Sequence, residues 1–279
     1  MRRFTRLLFG TAGIPLSTSK KTSQAGIVRV RELGLDAMEL EFVRGVKMSM
    51  ETALEVKKIA EENNVVLTVH APYYINLNSS DSSKVRESAE RIIQSARVGF
   101  AAGAFSVVFH AGYYGGDTPG KAYQRIKNTV KEISRVVRDE GIEIWLRPET
   151  MGGLAEFGDL EEIISLSEEI EGIQPAIDFA HLHARSIGRY NTYEEISSVL
   201  ELIERRLGRE ALERMHIHMS GIEYGRRGEI KHLNLEESDL NYRDILKALK
   251  DFKVYGVVIS ESPNIEDDAI LMKKTYENL

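Results

Sequence analysis

A chain of 279 residues with 42% hydrophobic and 29% charged positions has enough apolar material for a sizeable core, which excludes a disordered chain. It has no cysteine, so disulfide frameworks and thiolate-bound metals are excluded, and any metal must be held by His, Asp and Glu. The formal net charge of −6 excludes a DNA binder that relies on overall positive charge; contact with nucleic acid would need a local basic patch.

The chain opens with MRRFTRLLFGTAG, in which positive charge precedes an apolar stretch interrupted at Gly10. That stretch is too short for a signal h-region or a membrane span. Together with the lack of cysteine, it leads to the expectation of a cytoplasmic protein. Abundant Lys, Glu and Arg with very few Gln is the bias of thermophile proteins.

Short apolar runs then alternate with amphipathic stretches, and no Pro/Gly/Ser-rich linker intervenes, so residues 1–279 are expected to form one domain. Strands are predicted at LLFG near Leu7, AMELEF from Ala37, VVLTVH from Val65 and SVVFH from Ser106. Four more follow: EIWLRPE from Glu143, PAID from Pro175, MHIHMS from Met215 and GVVISE from Gly256. Between them lie helical patterns such as Met50 to Glu62, Lys84 to Ala102, Ala122 to Asp139, Leu160 to Glu169, Tyr193 to Arg206 and Tyr242 to Leu249. Eight such βα units imply an α/β fold, the closed (β/α)8 TIM barrel. The competing open, doubly wound sheet usually has a glycine-rich phosphate turn after its first strand, and Gly10-Thr11-Ala12-Gly13 does not supply GxGxxG.

All seven histidines fall at the end of a predicted strand or in the loop just after it, which in a TIM barrel is the catalytic mouth. His70 closes one strand, His110 the next, His181 follows Asp178, His218 closes MHIHMS and His232 lies in the loop beyond. Carboxylates take the equivalent places at Glu149, Asp178 and Glu261. One histidine in such a position is more often a hydrogen-bonded structural residue, and one carboxylate is often a helix cap. A whole rim of them is different, because buried carboxylates need positive partners and few Lys or Arg are near these strand ends. Divalent ions would resolve this. Imidazole and carboxylate without sulfur suit Zn2+ or Mn2+, the histidine share favouring zinc, and eight ligands imply two or three ions. Such clusters clamp phosphodiesters.

The local sequences His70-Ala-Pro-Tyr73-Tyr-Ile-Asn-Leu, Phe109-His110-Ala-Gly, Pro148-Glu149-Thr-Met-Gly, Ile177-Asp178-Phe-Ala-His181, His218-Met-Ser, Lys231-His232-Leu-Asn-Leu-Glu and Ser260-Glu261-Ser-Pro occur in this order. Over nearly its whole length the chain thus resembles the endonuclease IV family of AP endonucleases. The resemblance implies a monomer that cleaves double-stranded DNA on the 5′ side of abasic sites in base excision repair. It also implies a three-zinc site, with His70, His110 and Glu149 on one ion and Glu149 bridging to a second, held with Asp178, His218 and Glu261. His181 and His232 would take the third. Catalysis would fall to Glu149 and to Glu261, which orients the attacking water, and Tyr73 would probe the DNA beside the lesion. In the family an aspartate stands two residues before the last histidine, where this chain has Ile230, with Glu229 the nearest substitute.

Two further points stay open on sequence alone. His216 and His218 alternate on one strand face, and the family spacing favours His218 as the ligand, leaving His216 in the core or behind the ligands. Arg185, Arg189, Arg226, Arg227 and Lys231 form a candidate basic rim for phosphate contact. The alternative activity is a sugar isomerase or epimerase of the xylose-isomerase-like barrels, whose single metal would need only Glu149, Asp178, His218 and Glu261. A third reading is a barrel that binds damaged DNA without cutting it.

Overall fold

The computed structural model describes residues 3–279. All eight predicted strands are present and run parallel: β1 (Leu7–Ala12), β2 (Ala37–Glu41), β3 (Val66–His70), β4 (Ser106–Phe109), β5 (Trp145–Pro148), β6 (Ala176–Asp178), β7 (Met215–Met219) and, after a hairpin, β10 (Gly256–Ser260). The hairpin is β8 (Gly221–Gly225) with β9 (Gly228–Leu233). Ladders join the large sheet in the order β5-β4-β3-β2-β1-β10-β7-β6. Single parallel bridges, Leu146 to Ile173 and Glu149 to Ala176, bring its two ends together into a nearly closed barrel.

The helices between strands are α1 (Ser23–Glu32), α2 (Met50–Glu62), α3 (Ser82–Ala101), α4 (Pro119–Asp139) and α5 (Leu160–Glu169). After β6 come α6 (Phe179–Arg185), α7 (Tyr193–Leu207) and α8 (Arg209–Leu212), then α9 (Tyr242–Asp251) and α10 (Glu266–Glu277). Their starts follow local chemistry. Ser49 caps α2, and capping boxes at Asp159/Glu162 and Thr192/Glu195 open α5 and α7. On α4 the buried Ile126, Val130, Ile133 and Val137 recur at helical spacing and form the stripe packed on the barrel.

Four helices and the hairpin lie outside the predicted pattern; besides the single-turn α8, each has a local reason. In α1, Gly26 and the β-branched Ile27, Val28 and Val30 have weak helix propensity, and the helix forms because Ile27 and Val30 bury completely while Thr22 caps it. Helix α6 is buried on all sides, so FAHLHA shows no amphipathic period. Helix α10 carries a weak apolar stripe and starts without a capping side chain at Ile265, whose φ is 44°, so its acidic first turn, Glu266 to Asp268, is the one start signal. The hairpin turns at Arg226-Arg227 between paired glycines, without the Asn-Gly type of signal that marks such turns.

The β10–β7 ladder depends on close backbone contact at Gly256. Its φ is +125° and a Cβ there would stand 2.0 Å from Met215 O. Gly256→Ala is expected to cost at least about 3 kcal/mol, from strain and clash together, read as a lowered denaturation midpoint with unchanged m.

Candidate metal centre

The strands deliver their last side chains to one mouth, where three sets of ligand atoms converge; a fourth group, Glu39, His216 and His218, lies behind them. In the first, Glu149 Oε2 lies 3.4 Å from His70 Nε2 and 3.1 Å from His110 Nε2. In the second, His218 Nδ1 lies 3.0 Å from Glu149 Oε1 and 3.2 Å from Glu261 Oε1, with Asp178 alongside. Glu149 belongs to both. The third joins His181, Glu229 and His232: Glu229 oxygens stand 3.3 and 3.5 Å from the two Nε2 atoms, which are themselves 3.2 Å apart.

Asp178 does two jobs at the end of β6. Its Oδ1 accepts from His181 N at 2.7 Å and so caps α6, which places the His181 ring over the mouth, while Oδ2 is buried without a hydrogen bond. His181 thus sits in a helix rather than a loop, and His232 in strand β9 rather than a loop. The substitution of Glu229 for the expected aspartate has a backbone explanation. Pairing in the hairpin runs from Glu223–Lys231 directly to Tyr224–Glu229, leaving Ile230 as the extra residue of a bulge, 60% exposed. A bulge shifts strand alternation by one, so Glu229 and His232, three apart, face the same side. Gly152 makes room for it, since a Cβ there would stand 2.6 Å from Glu229 Oε2.

The donor set fits divalent metal. Glu149 Oε2 and Asp178 Oδ2 are buried oxygens without hydrogen bonds, and the groups paired with these carboxylates are imidazoles rather than Lys or Arg. At His70, His181 and His232 the Nδ1 atoms meet the carbonyl oxygens of Ala71, Thr150 and Glu261 at 2.8, 2.9 and 3.2 Å. A carbonyl can only accept, so Nδ1 carries a proton and Nε2 is the nitrogen turned toward the cluster, free to ligate once its own proton is displaced.

Burial by itself would raise the Glu149 carboxyl, but His218, His110 and His181 together hold it well below the usual range. Burial lowers the His70 imidazole, and Glu149 and Glu41 more than reverse this, bringing it to about 10. His181 and His218 are likewise raised well above the ordinary value despite burial, by Asp178 and Glu149 for the former and by Glu261, Glu39 and Glu149 for the latter. In metal-free protein these rings therefore hold protons at neutral pH. The His70 contribution to metal-free stability is full below its unfolded value of about 6.5 and is lost as pH rises through about 10. Zinc added at pH 7.5 must displace such protons, so calorimetry in buffers of differing ionisation enthalpy should report release of about two to three protons per chain. Affinity should rise with pH.

Several residues at the site had gone unread in the sequence. Strand β2 contributes Glu39, fully buried, and Glu41, whose carboxyl burial pushes up to about 8 with help from Glu39 and Glu261. Two glutamates at alternate positions of an otherwise apolar strand, AMELE, were the available signal. His216 lies behind His218, its ring edge-on at 4.9 Å, with Nδ1 2.9 Å from Ser106 Oγ and Nε2 3.1 Å from Glu39. Tyr73 stands at the lip, half exposed, its ring 5.4 Å from that of His70 and 5.7 Å from that of His110. The expected basic rim is only partly available. Arg185 turns inward and donates to the carbonyls of Gly153 and Glu156, tying loops together, and Lys231 pairs with Glu223. A cavity of about 510 Å³, lined by Tyr73, His110, Glu229, His232 and Glu261, opens beside a groove of about 590 Å³ that carries Lys21, Arg44 and Lys47.

A parallel barrel with its polar constellation at the strand C-termini defines the TIM-barrel enzyme architecture. The chain belongs to the xylose isomerase-like TIM barrel family, whose model matches residues 27–276. It is 45% identical, over the whole of both chains, to an uncharacterized protein of Methanocaldococcus jannaschii. It is 27% identical to a probable endonuclease 4 of Symbiobacterium thermophilum, covering 92% of this chain and 94% of that one. Among solved structures, endonuclease IV from Thermus thermophilus superposes with a TM-score of 0.72 at 21% identity, covering 96% of this chain and 98% of that one. A D-tagatose 3-epimerase-like protein gives 0.73 at 20% identity and 96% of each chain, so these two likenesses bear on the fold alone. No helix among the described residues is long and apolar enough to cross a membrane.

Proposed function

We propose that this chain is a zinc-dependent endonuclease that hydrolyses DNA phosphodiesters on the 5′ side of abasic sites. The observation that carries the reading is the third ligand set, His181, Glu229 and His232. A single-metal epimerase is served by Glu149, Asp178, His218 and Glu261 and has no use for that set or for His70 and His110. The kinship with endonuclease 4 proteins over most of the chain supports the same choice.

Zn2+ ions held by these residues would lower the pKa of a bound water toward neutrality and neutralise charge on the phosphoryl oxygens. The chain's own residues do the rest. Glu149 ties two ligand sets to one carboxylate and fixes their separation. Glu261, on the cavity wall, accepts a hydrogen bond from the attacking water and aims it in line with the leaving sugar oxygen. Glu41, whose carboxyl burial raises in the metal-free protein, lines the same cavity beside His70. Tyr73 stacks beside the gap left by the missing base, and Arg44 and Lys47 in the adjoining groove take flanking phosphates despite the net negative charge. An extruded abasic sugar costs little unstacking, which confers selectivity.

The test is a duplex with one abasic-site analogue and zinc-loaded protein. A single cut 5′ to the lesion leaving a 3′-hydroxyl, with undamaged duplex intact, is the expected result. Intact lesion duplex together with C3 epimerisation of a ketohexose would transfer the site to the epimerase reading, and tight binding without a cut would mark a non-catalytic binder. Tyr73→Ala should weaken binding of the lesion duplex by about 1–3 kcal/mol while leaving the metal content unchanged.

A further inference from the structure

His218 is mounted in the opposite sense to the other ligand histidines. At His70, His181 and His232, Nε2 faces the cluster and Nδ1 meets a backbone carbonyl. At His218, Nδ1 faces Glu149 and Glu261, and the outward Nε2 meets a carboxylate, Glu39 Oε1, at 2.9 Å. Both residues are fully buried. A ring lone pair against a carboxylate oxygen at that distance, away from water, is strongly repulsive. Neither of these two buried atoms has a hydrogen-bond partner elsewhere, and a proton on Nε2 answers both. Nδ1 faces the second ligand set and is the nitrogen left to bind once metal displaces its own proton.

We propose that Glu39 is the positioning residue of His218, fixing its Nε2-protonated tautomer so that Nδ1 serves as a metal ligand. The inference rests on the metal reading above and extends it to a residue outside the ligand sets. Glu39 is itself held in place: Thr68 Oγ1 donates to Oε2 at 2.7 Å, and His216 Nε2 stands 3.1 Å from the same oxygen, backed by Ser106. Glu39, His216 and His218 would also suit a further cation by their mutual distances. A cation there would require His218 to lose both ring protons, whereas one proton on Nε2 meets the requirement already.

Two measurements test this. In zinc-loaded, 15N-labelled wild-type protein, long-range imidazole correlations should show His218 protonated on Nε2, against Nδ1 for His70, His181 and His232. In Glu39→Gln, competition with a chromophoric chelator should show the zinc at the second set bound about ten- to a hundredfold more weakly, with Glu39→Asp recovering part of the loss. A wild-type His218 protonated on Nδ1, or Glu39→Gln affinity equal to wild type, overturns the proposal while leaving the metal reading intact. A wild-type complement of four ions that falls by one in His216→Ala overturns it too, by making Glu39 a ligand. Wild-type protein that binds no zinc sinks the metal reading itself. Should Glu39→Gln not fold, the tautomer of the wild-type ring decides.

Discussion

Replacing Glu149 with glutamine is expected to lower nicking of abasic duplex by about a thousandfold or more while leaving the circular dichroism spectrum unchanged. The expectation follows from the position of one carboxylate. Both oxygens of Glu149 are used, Oε2 toward His70 and His110 and Oε1 toward His218, so the change removes charge from two ligand sets at once. Metal stabilisation of transition-state charge is worth several kcal/mol, and each ~1.4 kcal/mol is tenfold in rate. The side chain is fully buried and sterically conserved by the amide, so the barrel has no packing reason to collapse. Single-turnover cleavage at saturating zinc is the measurement. A rate within a few fold of wild type would remove Glu149 from the mechanism.

Glu229→Gln is expected to act differently, lowering the bound zinc by one ion and the cleavage rate by about ten- to a hundredfold. Glu229 faces two imidazoles and sits on the hairpin, 24% exposed, outside the barrel wall. Its loss therefore leaves the first two sets intact. An unchanged zinc content in this variant would show that the bulge at Ile230 does not bring a working ligand to the third set.

The barrel was legible because its strands are short apolar runs ending in polar residues and its longer helices carry a clear apolar stripe. The helices left unread were the four-residue α8 and those whose stripe is weak or whose every face is buried, α1, α6 and α10, where tertiary burial overrides local propensity. At the site, histidines are scarce enough that their clustering at strand ends stood out, and the structure brings His70, His110, Glu149, Asp178, His181, His218, His232 and Glu261 to one mouth. Glu39 was hidden because a glutamate in a strand reads as a solvent-facing residue unless its partners are known, and those partners come from β3 and β7. The fit of Glu229 could not be read either. It depends on a register slip between β8 and β9, and a bulge leaves no mark in residue type when the extra residue is an exposed isoleucine.

The central claim is that this barrel gathers a multi-ion cluster rather than one metal. Elemental analysis of purified protein after zinc loading and removal of free ions tests it most directly. Three zinc ions per chain is the predicted result, one for each ligand set. A single ion per chain, retained when His181 and His232 are both replaced by alanine, would contradict it.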